Sequence, residues 1–306
     1  MKKLVVVLMG GLSGEREISF LSGKACSKAL VKQGYKVINM DAKGHFVEKL
    51  KKINPDVVFN ALHGKFGEDG FIQSILEHLK IPYTHSGVLS SSLAMDKLLS
   101  RHIFEKNNLK VPKYLVLERS YEGNINKKIK KKKINFPIVI KPVNEGSSLG
   151  VYICKNKKNF YSNYKKLILQ YDKVLIEEYI PGREIQVAVM NNNSLGAIEL
   201  VPKRKFYDYK AKYFDSAKTK HIMPAPLNKK KYNEILHIAK RAHKLLGCRG
   251  VTRSDFRFYK NTFYLLELNT QPGMTPMSLL PEQAAHVGIS FQDLVVWMIE
   301  NAEYDQ

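Results

Sequence analysis

Apolar residues fall into short runs divided by polar stretches. The run from Leu4 to Met9 is unbroken and meets Gly10-Gly11, which predicts a strand over 3–9 buried on both faces. Residues 17–33 predict a helix, with Gly34 as its C-terminal stop. Short strands are expected at 36–40 and at 56–61, where Val57-Val58-Phe59 is the apolar centre, and 71–79 is apolar at helical spacing. Strand, helix and strand in alternation imply a parallel sheet covered by helices.

The middle of the chain reads differently. A small-residue loop is expected over 86–92, then a helix from 95 to 106. Strands are expected at 111–117, 136–141, 151–153, 173–178 and 184–190. The tail predicts a helix at 230–246, paired strands at 254–259 and 263–269, and a last helix at 291–301. No internal repeat is present. Boundaries near 93 and 180 give three α/β units, 1–93, 94–180 and 181–306.

Composition changes this picture in one respect. At 306 residues, 44% hydrophobic and 25% charged, the chain has globular composition, which excludes a disordered chain, a collagen-like fibre or a coiled-coil rod. Lys+Arg is 50 against 28 Asp+Glu, a net charge of +22 that favours anionic partners. Six lysines lie between residues 126 and 135, without interleaved aromatics, and read as solvated surface rather than a nucleic-acid patch. Cys26, Cys154 and Cys248 are far apart in sequence, which argues against a disulfide framework and for a reducing compartment. The six apolar residues at the N-terminus are too few for a signal core and no run could span a bilayer, so a soluble cytoplasmic protein is expected.

Five constellations can carry chemistry. The turn Gly10-Gly11-Leu12-Ser13-Gly14-Glu15 follows the first strand; its backbone N–H groups suit a ligand, although a tight turn with an acid at a helix start explains it as well. It does not match the dinucleotide fingerprint G-x-G-x-x-G. His63-Gly64-Lys65-Phe66-Gly67-Glu68-Asp69-Gly70 follows the third strand, at the sheet edge where open α/β sheets bind ligands. His63 there fits a site residue and a satisfied structural histidine equally. Lys141 ends a strand, and Glu145-Gly146-Ser147-Ser148-Leu149-Gly150 lies just beyond; an ammonium and a Gly/Ser loop can together hold phosphate. The polar aromatic stretch 206–215 has neither helical nor strand period and suits a lid or an irregular surface loop.

The fifth is the most geometric. A hairpin turning near Lys260-Asn261-Thr262 puts Asp255 and Glu267 near each other across the ladder, each six residues from Asn261. Asn269, two residues after Glu267, projects from the same face. Two carboxylates and an amide oxygen on one surface suit Mg²⁺, in preference to acids capping a hairpin edge.

In this order and spacing, the segments GGLSGEREIS, ALHGKFGEDG, LAMDKLLSR, IVIKPVNEGSSLGV, EEYIPGRE, FYDYKAKY, CRGVTRSDF and LELNTQPGMTPMSLLPEQA resemble the D-alanine–D-alanine ligases of the ATP-grasp superfamily, over essentially the whole chain. The resemblance implies an α/β ATP-grasp fold with an N-terminal parallel, Rossmann-like sheet. It also implies ATP-dependent joining of two D-alanines for peptidoglycan, through an acyl phosphate. Other carboxylate–amine ligases of the superfamily and D-alanyl-D-lactate ligases are the alternatives.

By that resemblance Lys97, Lys141 and Lys212 hold ATP phosphates. Glu177 and the backbone of Glu178 to Ile180 read adenine, Glu184 takes the ribose, and Asp255, Glu267 and Asn269 bind two Mg²⁺ (or Mn²⁺). Glu15 binds the first D-alanine's ammonium and His63 helps position substrate. Arg253 and the Gly273 N–H stabilise the oxyanion, while Ser278 and the Leu279 backbone hold the second carboxylate. Glu15, Ser147 and Tyr213 latch a closing loop, and a tyrosine at position 213 goes with dipeptide rather than depsipeptide formation. A homodimer acting on D-alanine and ATP, with no nucleic-acid or membrane partner, is the implied assembly.

Overall fold

The structure is a computed structural model that describes residues 2–146, 149–202 and 219–305. Its strands form three sheets. In the first, β1 (Leu4–Met9) lies between β2 (Lys36–Asp41) and β3 (Val57–Asn60), all parallel, in the order β2-β1-β3. The unbroken apolar run of β1 follows from its place. Val5 and Val7 face α1 (Arg16–Lys32) and the last helix, α10 (Phe291–Glu300), whose Leu294, Val295 and Met298 share that core. Val6 and Leu8 face α2 (Phe46–Ile53) and α3 (Phe71–His78), through Leu50, Ile72 and Leu76. Both faces are covered, so alternation disappears from the sequence. The chain therefore ends where it begins, with α10 packed on α1 and Tyr83 bridged to Glu303.

The second sheet is antiparallel, β4-β7-β5-β6, built from β4 (Tyr114–Glu118), β5 (Ile138–Pro142), β6 (Tyr152–Cys154) and β7 (Lys173–Glu178). Ile138, Ile140, Val174 and Ile176 face α6 (Ile125–Lys131) and α7 (Lys157–Gln170). The alternate positions Val139, Lys141, Leu175 and Glu177 point the other way. The six lysines of 127–133 are exposed on and after α6, whose Ile129 is buried in the core with Ile125 packed against it. The solvated reading of that run holds.

The third sheet is also antiparallel, β10-β9-β8-β11-β12, from β8 (Arg183–Met190), β9 (Asn193–Val201), β10 (Lys220–Ile222), β11 (Val251–Tyr259) and β12 (Thr262–Asn269). Ile185, Val187, Val189, Phe256 and Leu265 pack on α8 (Lys229–Leu245) through Ile235 and Ala239. Glu184, Gln186, Arg253, Asp255 and Arg257 are thereby left on the opposite face, opened by the same alternation.

Two sequence expectations fail locally. Residues 86–92 are not a loop: α4 (Val88–Met95) occupies most of them. Serine disfavours helix because its hydroxyl competes for nearby backbone. Here the hydroxyls of Ser90 and Ser92 instead donate to the carbonyls of Gly247 and Asp69, at 2.7 Å each. Nor is 95–106 one helix. Asp96 breaks it and caps α5 (Lys97–Lys106), its carboxylate accepting from Leu98 N and Leu99 N at 2.9 and 3.0 Å. The helices α2, α7 and α9 (Leu279–His286) and the strands β9 and β10 are additions to the sequence reading.

Candidate active site

The open faces of the second and third sheets and the C-terminal edge of the first enclose two adjoining clefts. One, of about 900 Å³ including space open to solvent, is lined by Glu15, His63, Arg253, Asn269, Gly273, Ser278 and Leu279. The other, of about 790 Å³ measured the same way, is lined by Lys141, Glu177, Glu178, Ile180, Glu184 and Asp255. Lys97, Glu145 and Glu267 line both and form the junction. The site residues that the resemblance implies, among those described, thus lie on one cleft or the other. Ser147, Lys212 and Tyr213 lie outside the described residues.

The second cleft is set by sheet register. Lys141 on β5 stands opposite Leu175 on β7, and Val139 opposite Glu177, so both charged side chains project from the face away from α7. Glu177 is buried and bridges two cations: Lys141 Nζ is 3.0 Å from one oxygen and Arg101 binds the other. Burial opposes ionisation of Glu177, but Arg101 and Lys141 outweigh it and hold its pKa below the usual carboxylate value. For Lys141 burial dominates, and its pKa is lowered although Glu177 pulls the other way. Arg101 was invisible to sequence reasoning; the only signal was its place one helical turn after Lys97. At the far end of the cleft Glu184 pairs with Arg257 at 3.2 Å.

The junction is built by a hairpin. Lys260 and Asn261 both have positive φ (45° and 61°), the two-residue turn that matches strand twist. Asp255 stands opposite Glu267 and Arg253 opposite Asn269. Arg253 grips Asp255 with two hydrogen bonds of 2.8 and 3.1 Å. Lys97 Nζ lies 3.5 Å from Glu267 and donates to the Glu145 carbonyl. Asn269 Oδ1 accepts from Gln271 N at 2.8 Å.

The donor set at the junction fits magnesium chemically: two carboxylates and an amide oxygen are the hard ligands Mg²⁺ takes, with phosphate oxygens and water completing its shell. Among the described residues no group of three or more His, Cys, Asp or Glu is placed to hold a metal by itself.

The first cleft begins at the turn after β1. Glu15 caps α1 and is 4% exposed. Ser13 Oγ donates to the His63 carbonyl at 2.6 Å, which ties this turn to the one after β3. Glu68, missed as a site residue, sits beside Glu15: an added Cβ at Gly146 would lie 3.1 Å from a Glu15 oxygen and 3.3 Å from a Glu68 oxygen. Burial, then the neighbouring Glu15, pushes the Glu68 carboxyl up to about 8. The HGKFGEDG segment held the signal, two acids in a strand-end loop, but not which would turn inward.

His63 is buried, which pushes its pKa down to about 4 against the hydrogen bond it makes to the Gln271 backbone. Its Nε2 is 3.1 Å from Ser22 Oγ, which also accepts from Met274 N at 3.3 Å. Of the two readings left open for His63, the structural one is met: both partners are internal. It nonetheless lines the cleft beside Arg253 and Gly273. Ser278 stands at the N-cap position of α9 without a side-chain capping bond, and its Oγ accepts instead from Thr275 N at 3.0 Å.

Comparison with known proteins agrees with this geometry. Two family models match: the N-terminal model of the D-ala D-ala ligases over residues 42–86 and their C-terminal model over 103–300. The D-alanine–D-alanine ligase of Pelagibacter ubique is 55% identical over 307 aligned positions, covering all of both chains. That of Parvibaculum lavamentivorans is 45% identical over 99% of each. The crystal structure of the Bacillus anthracis D-alanine–D-alanine ligase complexed with ATP superposes with a TM-score of 0.85 at 30% identity, covering 97% of this chain and 96% of that one. On fold, site and sequence together, this chain belongs to the D-alanine–D-alanine ligase family and has its ATP-grasp fold.

Proposed function

We propose that this chain uses ATP to join two D-alanines into D-alanyl-D-alanine for peptidoglycan precursors. The observation that carries the reading is the junction. A cleft with cations for phosphate meets a cleft with groups for an amino acid at Lys97 and Glu267. Phosphoryl transfer from ATP to a carboxylate needs the two anions brought together there.

In this reading ATP lies in the second cleft, its adenine near Glu177 and the backbone of Glu178 to Ile180, its ribose at Glu184 and its phosphates at Lys141 and Lys97. Asp255, Glu267 and Asn269 would hold magnesium, which would supply charge neutralisation to the phosphates. Glu15 receives the first D-alanine's ammonium, and the carboxylate of that D-alanine takes the γ-phosphoryl group to give an acyl phosphate and ADP. Ser278 and the Leu279 N–H hold the second D-alanine by its carboxylate. Its amine attacks the acyl carbon; Arg253 and the Gly273 N–H stabilise the oxyanion, and phosphate leaves. Lys212 and Tyr213, with Ser147 and Glu15, close a loop over the acyl phosphate and keep water out.

Three units fit this division of labour: 1–93 for the first substrate, 94–180 for the nucleotide and 181–306 for catalysis. Among the described residues no helix is long and apolar enough to cross a membrane. The family resemblance supports a cytoplasmic homodimer without a nucleic-acid partner.

The test is ADP release on adding D-alanine to the enzyme with Mg-ATP, with the product identified by mass. D-alanyl-D-alanine is expected. No ADP release with D-alanine sinks the reading, and a D-alanyl-D-lactate product from a D-alanine and D-lactate mixture favours the depsipeptide alternative.

A further inference from the structure

Among the described residues, Arg101 is the largest side chain that is fully buried. It lies on α5 one turn after Lys97, with its guanidinium 5.3 Å from the Tyr114 ring centroid. One nitrogen, Nη2, does all its hydrogen bonding, to Glu177 and to the Leu266 carbonyl at 3.3 Å. Its Nε and Nη1 are buried without a partner. A guanidinium carries five donors in a rigid fork and stays charged, so burying one half-satisfied is expensive. A merely structural ion pair is poorly served by that arrangement, because packed apolar residues do as well.

The cost makes sense through Glu177. That carboxylate is shared, one oxygen to Arg101 and the other to Lys141 at 3.0 Å. Alone with Lys141, the Glu177 charge would cancel the ammonium and draw it back toward β7. With Arg101 taking half of the carboxylate, Lys141 is held at one place by one oxygen and keeps a net attraction for an anion in the cleft. Tyr114, on the neighbouring strand β4 opposite Glu177, fixes the guanidinium from the other side.

We propose that Arg101 is a positioning residue for nucleotide phosphate: by sharing Glu177 it sets both the place and the effective charge of Lys141, without itself touching the nucleotide. This rests on the ATP site described above.

The experiment compares wild type with Arg101→Met, Arg101→Lys and the double variant Arg101→Met/Glu177→Gln. ADP binding is measured by calorimetry, and KM for ATP and for D-alanine by ADP release. Arg101→Met is expected to weaken ADP binding and raise KM for ATP by about tenfold or more, the size expected for an uncompensated partly buried charge. KM for D-alanine should stay within about twofold, since Arg101 lines neither cleft. Arg101→Lys should recover most of the loss. Because Glu177 is also placed at the adenine, the double variant is scored by the ratio of its ADP affinity to its adenosine affinity, in which the adenine contact cancels. That ratio should exceed the ratio for Arg101→Met, because the competing carboxylate leaves with its cation. Equal rises in both KM values, or a double variant whose ratio is no higher than that of Arg101→Met, overturn the proposal and leave Arg101 a packing residue. Should Arg101→Met fail to fold, Arg101→Lys and the double variant decide: a double variant with a wild-type melting temperature whose ratio of ADP to adenosine affinity falls at least about tenfold below that of wild type overturns it. Calorimetry with ADP separates this outcome from failure of the ligase reading, which is read from D-alanine-dependent ADP release.

Discussion

Asp255 and Glu267 face each other across the β11–β12 ladder, and each carboxylate is already held by a cation. Arg253 grips Asp255 through 2.8 and 3.1 Å hydrogen bonds, and Lys97 lies 3.5 Å from Glu267. Two acids so close in a half-closed cleft repel each other, and opposite charges offset that repulsion. The same cations are assigned to the oxyanion and to phosphate. Under that proposed assignment, the pairs hold these cations beside the place where they would act.

Replacement of Glu267 by Gln tests the metal assignment. The amide keeps the shape of the side chain but loses the charge a divalent ion needs. Turnover should fall, and the Mg²⁺ concentration for half-maximal rate should rise at least about tenfold, the lower end of what loss of even an outer-shell partner costs. Activity against Mg²⁺ at fixed ATP gives the answer; near-wild-type activity at limiting Mg²⁺ refutes the role.

Replacement of Arg253 by Ala tests the oxyanion assignment. A preorganised donor aimed at developing charge is worth about 10²–10³ in turnover. Ligation should drop by that order, with ATP binding changed far less. Lost ATP binding combined with a normal rate at saturation is the contrary result.

The facing of Asp255 and Glu267 was legible in the sequence, but the structure reaches it by another route. Counting six residues each way from Asn261 assumes a turn centred there. The turn is instead two residues, with Tyr259 opposite Thr262, and a symmetric ladder would put Leu266 opposite Asp255. A bulge between Asp255 and Phe256 supplies the missing residue and brings Glu267 into place. Sequence periodicity marks the ends of strands and the residues near them, which is why Lys141, Arg253 and Asn269 were within reach. It does not say which charged side chain is buried. Arg101 and Glu68 looked like ordinary members of a charged chain because burial of a charge is decided by partners distant in sequence. Glu177, the partner of Arg101, is 76 residues away.

Ser22 offers a test of how the substrate loop is held. Its hydroxyl lies 3.1 Å from His63 Nε2 and accepts from Met274 N at 3.3 Å, next to the proposed oxyanion donor Gly273. The neutral His63 ring spends its one N–H on the Gln271 backbone, so Nε2 is left to accept the Ser22 proton. Ser22→Ala leaves both buried partners unpaired and should cost about 1–3 kcal/mol of stability. It should also lower kcat more than it changes KM for ATP, since the nucleotide cleft is untouched. Denaturant unfolding and steady-state kinetics measure the two effects, and an unchanged kcat would remove Ser22 from any part in positioning Gly273.

Glu68 predicts a pH dependence whose sign is fixed by its surroundings. Burial and the nearby Glu15 push its carboxyl up to about 8 in the fold, from its ordinary value of 4.5, while the Gly64 N–H, Lys97 and Arg253 pull the other way. Between those two values the folded protein keeps a proton that the unfolded chain has lost. Stability therefore falls as pH rises through this window, and the full penalty is present above it, where folding must bury a second negative charge beside Glu15. Glu68→Gln cannot ionise, and its side-chain oxygen can still accept from Gly64 N. Its stabilisation over wild type should thus be small near pH 5 and grow toward pH 8.5, measured as the difference in melting temperature of the ligand-free proteins. An equal difference at both pH values would show that Glu68 ionises in the folded protein as readily as in water.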